Sequence, residues 1–258
     1  KSRRSTGQKV GENLLSLANF PLSIMASMDM SAPLRQGAVL AGRYPKPWLK
    51  AFAPMFKSFF SESAHRNIQN SMRSDPQYGL IKKSGVFLSD LGGDVTTREE
   101  VFASQFLNDW IPGIKASNRA YSTFLNKLRF DVAKKTIGQW DEAKKPMTDS
   151  EMKDMARFIN WSTGRGPLPD RVATMANPVF WAPRLVTSRV FLLGEAIRSP
   201  MDLVSNNRAR RQIAQTMLID MGVYLGMMAM IKKSGVAEIE IDPRSSDFGR
   251  IRIGNTRI

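Results

Sequence analysis

The chain has no cysteine and only one histidine, His65, among its 258 residues. The first absence excludes disulfides, thiol chemistry and cysteine-bound zinc or iron; the second excludes a metal site built from two histidines. Acidic residues are also scarce: 23 Asp and Glu stand against 38 Lys and Arg, a net charge of +15. Long hydrophobic runs are missing too. The longest apolar-rich stretch, "MLIDMGVYLGMMAMI" (217–231), has 15 residues and contains Asp220. A bilayer span needs about 20 apolar residues, and a carboxylate within it is costly. The stretch therefore reads as a buried central helix, with Gly222 and Gly226 spaced to let another helix approach. Its many methionines keep an adaptable, membrane-active alternative open.

What the chain does have is basic charge, densest in 1–60 and recurring in 113–165 and 166–258. A diffuse basic surface favours polyanions, nucleic acid or anionic lipid. The tightest cluster, "NNRARRQ" (206–212), holds Arg208, Arg210 and Arg211, while Arg3 and Arg4 lie in a polar stretch, 1–12, read as a basic linker. In "KPWLKAFAPMFKSFF" (46–60), Trp48, Phe52, Met55, Phe56 and Phe59 recur at spacings of three and four. That face is expected to pack into a core, with a membrane surface as the alternative. Lys46, Lys50 and Lys57 lie off the face, and Pro54 should kink or split the helix.

Helical periodicity organises most of the rest into an N-terminal helical part (13–112) and a helical core (113–235). Short helices are expected around Pro21 and Pro33, and another in "DVTTREEVFASQFLNDWIPGI" (94–114), capped by Thr96 or Thr97. "KASNRAYSTFLNKLRFDVAKKTIGQW" (115–140) puts Tyr121, Phe124, Leu125, Leu128 and Val132 on one stripe, with Arg119, Asn126, Lys127 and Lys134 elsewhere. "TDSEMKDMARFINWSTGRG" (148–166) reads as a helix capped by Thr148 or Ser150, with Met152, Met155, Phe158 and Ile159 inside and Gly164 past its end. Stretches 181–200 and 202–235 give two more. The string "IKKSG" closes a helix at 81–85 and again at 231–235: lysines suit the negative end of the helix dipole, and glycine takes the left-handed cap. The flanks differ, so no duplication is implied. Beyond it, "VAEIEID" and "GRIRIGNTRI" alternate apolar and charged residues around "PRSSDF", predicting a β-hairpin over 236–258 that continues into further sequence. The predicted fold class is mainly α, a multi-helix globular array with a small C-terminal β-hairpin.

Catalytic signals are weak. "STGRG" (162–166) lacks the lysine and the preceding strand of a phosphate-binding loop and reads as a helix end. "DFG" (247–249) lies in a turn without any companion kinase signature. Asp242 and Asp247, near Glu238 and Glu240, are interleaved with Arg244 and Arg250, which favours turn ion pairs over a metal. His65, in the polar run "SESAHRNIQN", reads as an exposed surface histidine. No Ser/His/Asp or paired-carboxylate arrangement follows from spacing. No catalytic residue, cofactor or metal ligand is assigned, and the chain is read as no enzyme.

Taken together, "SMDMSAPLRQG", "HRNIQNSMRSDP", "SNRAYSTFLNKLRFD", "NWSTGRG", "WAPRLVTSR" and "DPRSSDFGRIRIGNTRI" resemble a recurrent region of very large proteins of tailed bacteriophages and prophages, known as large polyvalent or internal virion proteins. The resemblance runs from about Ser27 to the end, and departs at Met217–Met230, where more leucine and alanine are expected. It implies a non-catalytic structural and interaction module of a protein carried in the capsid interior and delivered into the bacterial host cell with the genome. Enzymatic activities would then lie in other domains. The partners implied are other domains of the same long polypeptide, other virion proteins, DNA bound without sequence specificity, or anionic membrane; oligomers are compatible. Polyanion contacts are expected at Arg3, Arg4, Lys46, Lys50, Lys57, Arg208, Arg210 and Arg211. Packing or membrane contacts are expected at Trp48, Phe52, Phe56, Phe59, Gly222 and Gly226. The alternatives are a membrane-active ejection conduit and an accessory domain serving an enzyme elsewhere in the polypeptide.

Overall fold

The computed structural model describes Pro33, residues 36–89, 112–169, Val172 and 183–235, together with the backbone of 238–239, 251–253 and 256–257. Arg3, Arg4 and the rest of the basic linker, the helices expected around Pro21 and over 94–111, and the turn 240–250 lie outside the described residues. The chain is mainly helical. Four short helices, α1 (Pro45–Lys50), α2 (Phe52–Phe60), α3 (Glu62–Arg73) and α4 (Tyr78–Lys83), precede the long α5 (Pro112–Glu142). Then come α6 (Asp149–Ser162), α7 (Pro183–Asp202) and the long α8 (Arg208–Ser234).

α5 is the axis on which α1 to α4 and α6 pack. Phe124, Leu125, Leu128 and Val132 are fully buried, with Tyr121 nearly so, and this stripe faces the core as expected. Burial extends well past the stripe. Thr123, Asn126, Arg129 and Thr136 are also closed to solvent, which corrects the placing of Asn126 off the buried face. The reason is tertiary: α3 and the segment 86–89 cover the side of α5 that a lone amphipathic helix would leave wet. Asn126 accepts the backbone N–H of Ser89 at 3.0 Å and donates to its carbonyl at 3.0 Å. Asn160 of α6 likewise accepts the N–H of Phe87 at 2.8 Å and donates to the Gly85 carbonyl at 2.9 Å. Two side-chain amides thus satisfy an extended backbone that has no sheet neighbour here.

The 46–60 stretch is split at Ala51, three residues before Pro54. Proline has no N–H to return to the Lys50 carbonyl, and its ring crowds it. The break aims Phe52, Met55 and Phe59 at the core. Trp48 and Phe52 meet edge to face with centroids 4.8 Å apart, and Phe52 meets Phe124 at 5.3 Å. Such geometry is worth about 1 kcal/mol beyond the area buried. Phe56 falls outside this narrowed face and stays 48% exposed, unlike its neighbours in the expected stripe.

Helix ends follow the sequence closely. Thr148 caps α6 with a full capping box to Glu151. Gly85, Gly164 and Gly235 take the left-handed conformation after α4, α6 and α8, at φ of 99°, 84° and 69°. α5 ends the same way without glycine, at Lys144 with φ 54°. In the C-terminal stretch, β1 (Glu238–Ile239), β2 (Ile251–Ile253) and β3 (Thr256–Arg257) pair antiparallel in that order, Ile239 opposite Ile251. Of the segment expected as a hairpin, only these backbone pairings are described.

Candidate functional site

His65 is not on the surface. It is 4% exposed, with Nδ1 2.6 Å from the Thr123 hydroxyl, which in turn donates to Ser58 Oγ at 2.9 Å. α3 turns His65, Gln69 and Met72 inward at helical spacing, a stripe that its polar residue types conceal. Burial, aided by the nearby Arg119 charge, pushes the His65 pKa down to about 4. The ring is therefore neutral at physiological pH. Ser58, Thr123 and His65 have the order of a proton relay, but all three are enclosed between α2, α3 and α5. Their role is to tie these helices together, as a satisfied buried network does.

The arginine cluster opening α8 is largely engaged inside the protein. Arg208 grips Glu151 with Nε and Nη2, each at 2.9 Å. It also donates to the carbonyls of Lys145 and Pro146 and lies over the Trp140 ring, 4.4 Å from its centroid. The Arg208 hydrogen bonds above all, with those from Thr148, hold the Glu151 carboxyl down at about 2 in spite of burial. Arg210 stands 3.6 Å from Asp202 and 4.0 Å from Asp154. Both arginines fasten α8 to the preceding helices. Arg211 is exposed, as are Lys46, Lys50 and Lys57 on α1 and α2.

The apolar half of α8 departs from expectation. Gln212, Ile213, Ala214 and Thr216 are buried, but from Met221 onward nearly every residue is exposed, Met230 by 73%. The expected buried central helix is thus corrected: its first turns are core, and its last three are not. Apolar side chains surround this part of the helix, so no orientation hides them all, and most of them stand exposed. A side chain added at Gly222 or Gly226 would meet open space, so among the described residues the G-x-x-x-G pair brings no helix close.

Asp220 marks the boundary between the two halves. Its Oδ1 accepts the backbone N–H of Arg43 at 3.2 Å, with Gly42 donating as well. A Cβ on Gly42 would run into that same oxygen, so this turn needs glycine for close approach. Burial, opposed by these two hydrogen bonds, raises the Asp220 pKa to about 7, and its buried Oδ2 has no hydrogen-bond partner.

α7 presents a second exposed apolar face, one that sequence reading missed. Val186, Val190, Leu193, Ile197 and Met201, with Val204 just past the helix end, are 51–85% exposed. Their spacings of four, three, four, four and three make a single seam along the helix, the pattern by which one helix docks on another. The opposite side of α7 packs inward, with Phe191 stacked on Trp161 at 4.9 Å. The signal was legible in the spacing; only the side it faces was not. No protein-family model, curated protein or solved structure matches this chain.

Proposed function

We propose that the chain is a non-catalytic interaction module of a large virion-associated bacteriophage protein, carried in the capsid and delivered into the host with the genome. It docks through its apolar surface onto other domains of the same polypeptide or other virion proteins, and offers a basic surface to a polyanion. The C-terminal β segment, as a hairpin, links the module onward. The observation that carries this reading is the α7 seam, six regularly spaced apolar side chains left open among the described residues. Exposed contiguous apolar surface of this kind marks an interaction site. The phage context is supported by the resemblance described above. The test is packaging. Virions assembled with Val190→Asp, Leu193→Asp and Ile197→Asp in this chain should lack the protein, although the variant accumulates in folded form in the lysate. Normal packaging would contradict the reading.

A second reading, membrane activity during ejection, is favoured by α8, which is long and apolar enough to cross a bilayer by length and composition. With its first turns held in the core, the exposed part from Met221 to Ile231 reaches about 16 Å at 1.5 Å per residue. That is the depth of about one leaflet of a bilayer core. Flotation with anionic vesicles that survives high salt would support this reading; release by salt would leave the docking reading in first place.

A further inference from the structure

Where the end of α5, the loop after it and the first turns of α8 meet the Arg43 turn, the surface is hollowed into an open groove of about 510 Å³. Arg43, Lys145 and Arg211 line it, and Glu142 is the one carboxylate among its lining residues. These cations come from three distant parts of the chain. None has an ion-pair partner among the described residues. Arg208 also borders the groove, but its charge is matched by Glu151.

The groove is held in shape by groups otherwise satisfied. Trp140 Nε1 donates to Gln212 Oε1 at 2.7 Å, and Gln212 Nε2 donates to the Tyr44 hydroxyl at 3.1 Å. One face of the Trp140 ring carries the Arg208 guanidinium. The negative end of α5 is turned away as well: the Trp140 and Asp141 carbonyls accept the N–H groups of Lys145 and Lys144. That closure places Lys145 on the rim and leaves the cations to set the local potential.

We propose that this groove binds the phosphate backbone of a single-stranded nucleic acid, without sequence specificity. A single strand is flexible enough to follow an open groove of this size and bring successive phosphates to all three cations. Converging cations beside a fixed aromatic ring are the elements of such sites. The inference rests on the part of the proposed function that gives the chain a polyanion partner, and it shifts the contact from Arg208 and Arg210 to Arg43, Lys145 and Arg211.

The experiment is fluorescence anisotropy of a labelled oligothymidylate titrated with the whole chain, with duplex DNA and phosphatidylglycerol vesicles as competitors. Arg43→Ala/Lys145→Ala/Arg211→Ala is compared with Lys46→Ala/Lys50→Ala/Lys57→Ala, which removes equal charge from α1 and α2. With a salt exponent of roughly 0.7 per phosphate contact, the groove variant should bind about a hundredfold more weakly at 0.1 M salt, its log–log salt slope falling by about two. The α1–α2 variant should stay within about threefold of wild type. Tryptophan fluorescence should change on binding, and Trp140→Phe should abolish most of that change. Equal loss in both triple variants overturns the groove while leaving a polyanion partner in place. Binding of the wild type to neither oligonucleotide nor vesicles overturns both, and binding to vesicles alone overturns the groove in favour of a membrane partner.

Discussion

The two longest helices, α5 and α8, invert the expected relation between composition and burial. α5, with 31 residues, carries charged and polar side chains on every turn and is nonetheless enclosed on most sides. α8 from Met221 to Ile231 has scarcely a polar residue and stands in the open. The difference lies in their partners. Three inward polar groups of α5 meet mates: Thr123 has Ser58 and His65, Asn126 has Ser89, and Arg129 donates to Thr163 Oγ1 at 2.7 Å and its carbonyl at 3.1 Å. Unmatched, each such group would cost about 1–3 kcal/mol. α8 past Asp220 keeps its apolar side chains exposed, and apolar area left in water forgoes roughly 25 cal/mol per Å². Under the docking role proposed above, that exposed face is the part of α8 left for a partner.

Substitutions that treat the two helices alike sharpen this contrast. Phe124→Ala, at the centre of α5, should destabilise the fold by about 3–5 kcal/mol, while Leu225→Ala or Met227→Ala should change stability by no more than about 0.5 kcal/mol. Chemical denaturation measures both, and comparable losses would mean that α8 is buried. Gly42→Ala, which drives a methyl group into the Asp220 carboxylate at the junction, should cost about 1–3 kcal/mol.

A smaller effect comes from Asp220 itself. Its pKa is about 7 in the fold against an ordinary carboxylate value of 3.8. The native state therefore holds an extra proton between those values, and the group's contribution to stability is lost as pH rises through that window. Asp220→Asn stays neutral and still accepts the Arg43 N–H. Its melting temperature relative to wild type should increase from about pH 5 to about pH 8, and a difference constant with pH would refute the assignment. The smallest change is at Lys144, where glycine would relieve a left-handed residue. Lys144→Gly should raise stability by about 0.5–1 kcal/mol if the α5 end keeps its geometry.

Sequence periodicity located the long helices, a cap for α6 at Thr148 or Ser150, the three glycine stops and the inner stripe of α5, because each is set by local spacing and backbone chemistry. It misplaced what depends on neighbours. His65 and Asn126 look like surface residues until α3 and the 86–89 segment close over α5. The 217–231 run looks like core because burial is the default for apolar helices, and nothing local says that no neighbour arrives. For the candidate groove, Arg211 was legible as part of a dense basic cluster. Arg43 and Lys145 were not, since each is an isolated cation in sequence and only the meeting of three chain segments brings them together. Glu151, the carboxylate that occupies Arg208, was not singled out from the sequence either.

Methionine oxidation reads the central contrast directly. The chain carries Met55, Met72 and Met155 in the core, each under 5% exposed, and Met221, Met227 and Met230 along the open part of α8. Mild peroxide treatment followed by peptide mass spectrometry should oxidise the second group rapidly and leave the first intact. Protection of Met221, Met227 and Met230 to the level of Met155 in the isolated chain would contradict the account, because α8 would then already be covered and would have no face to offer a partner.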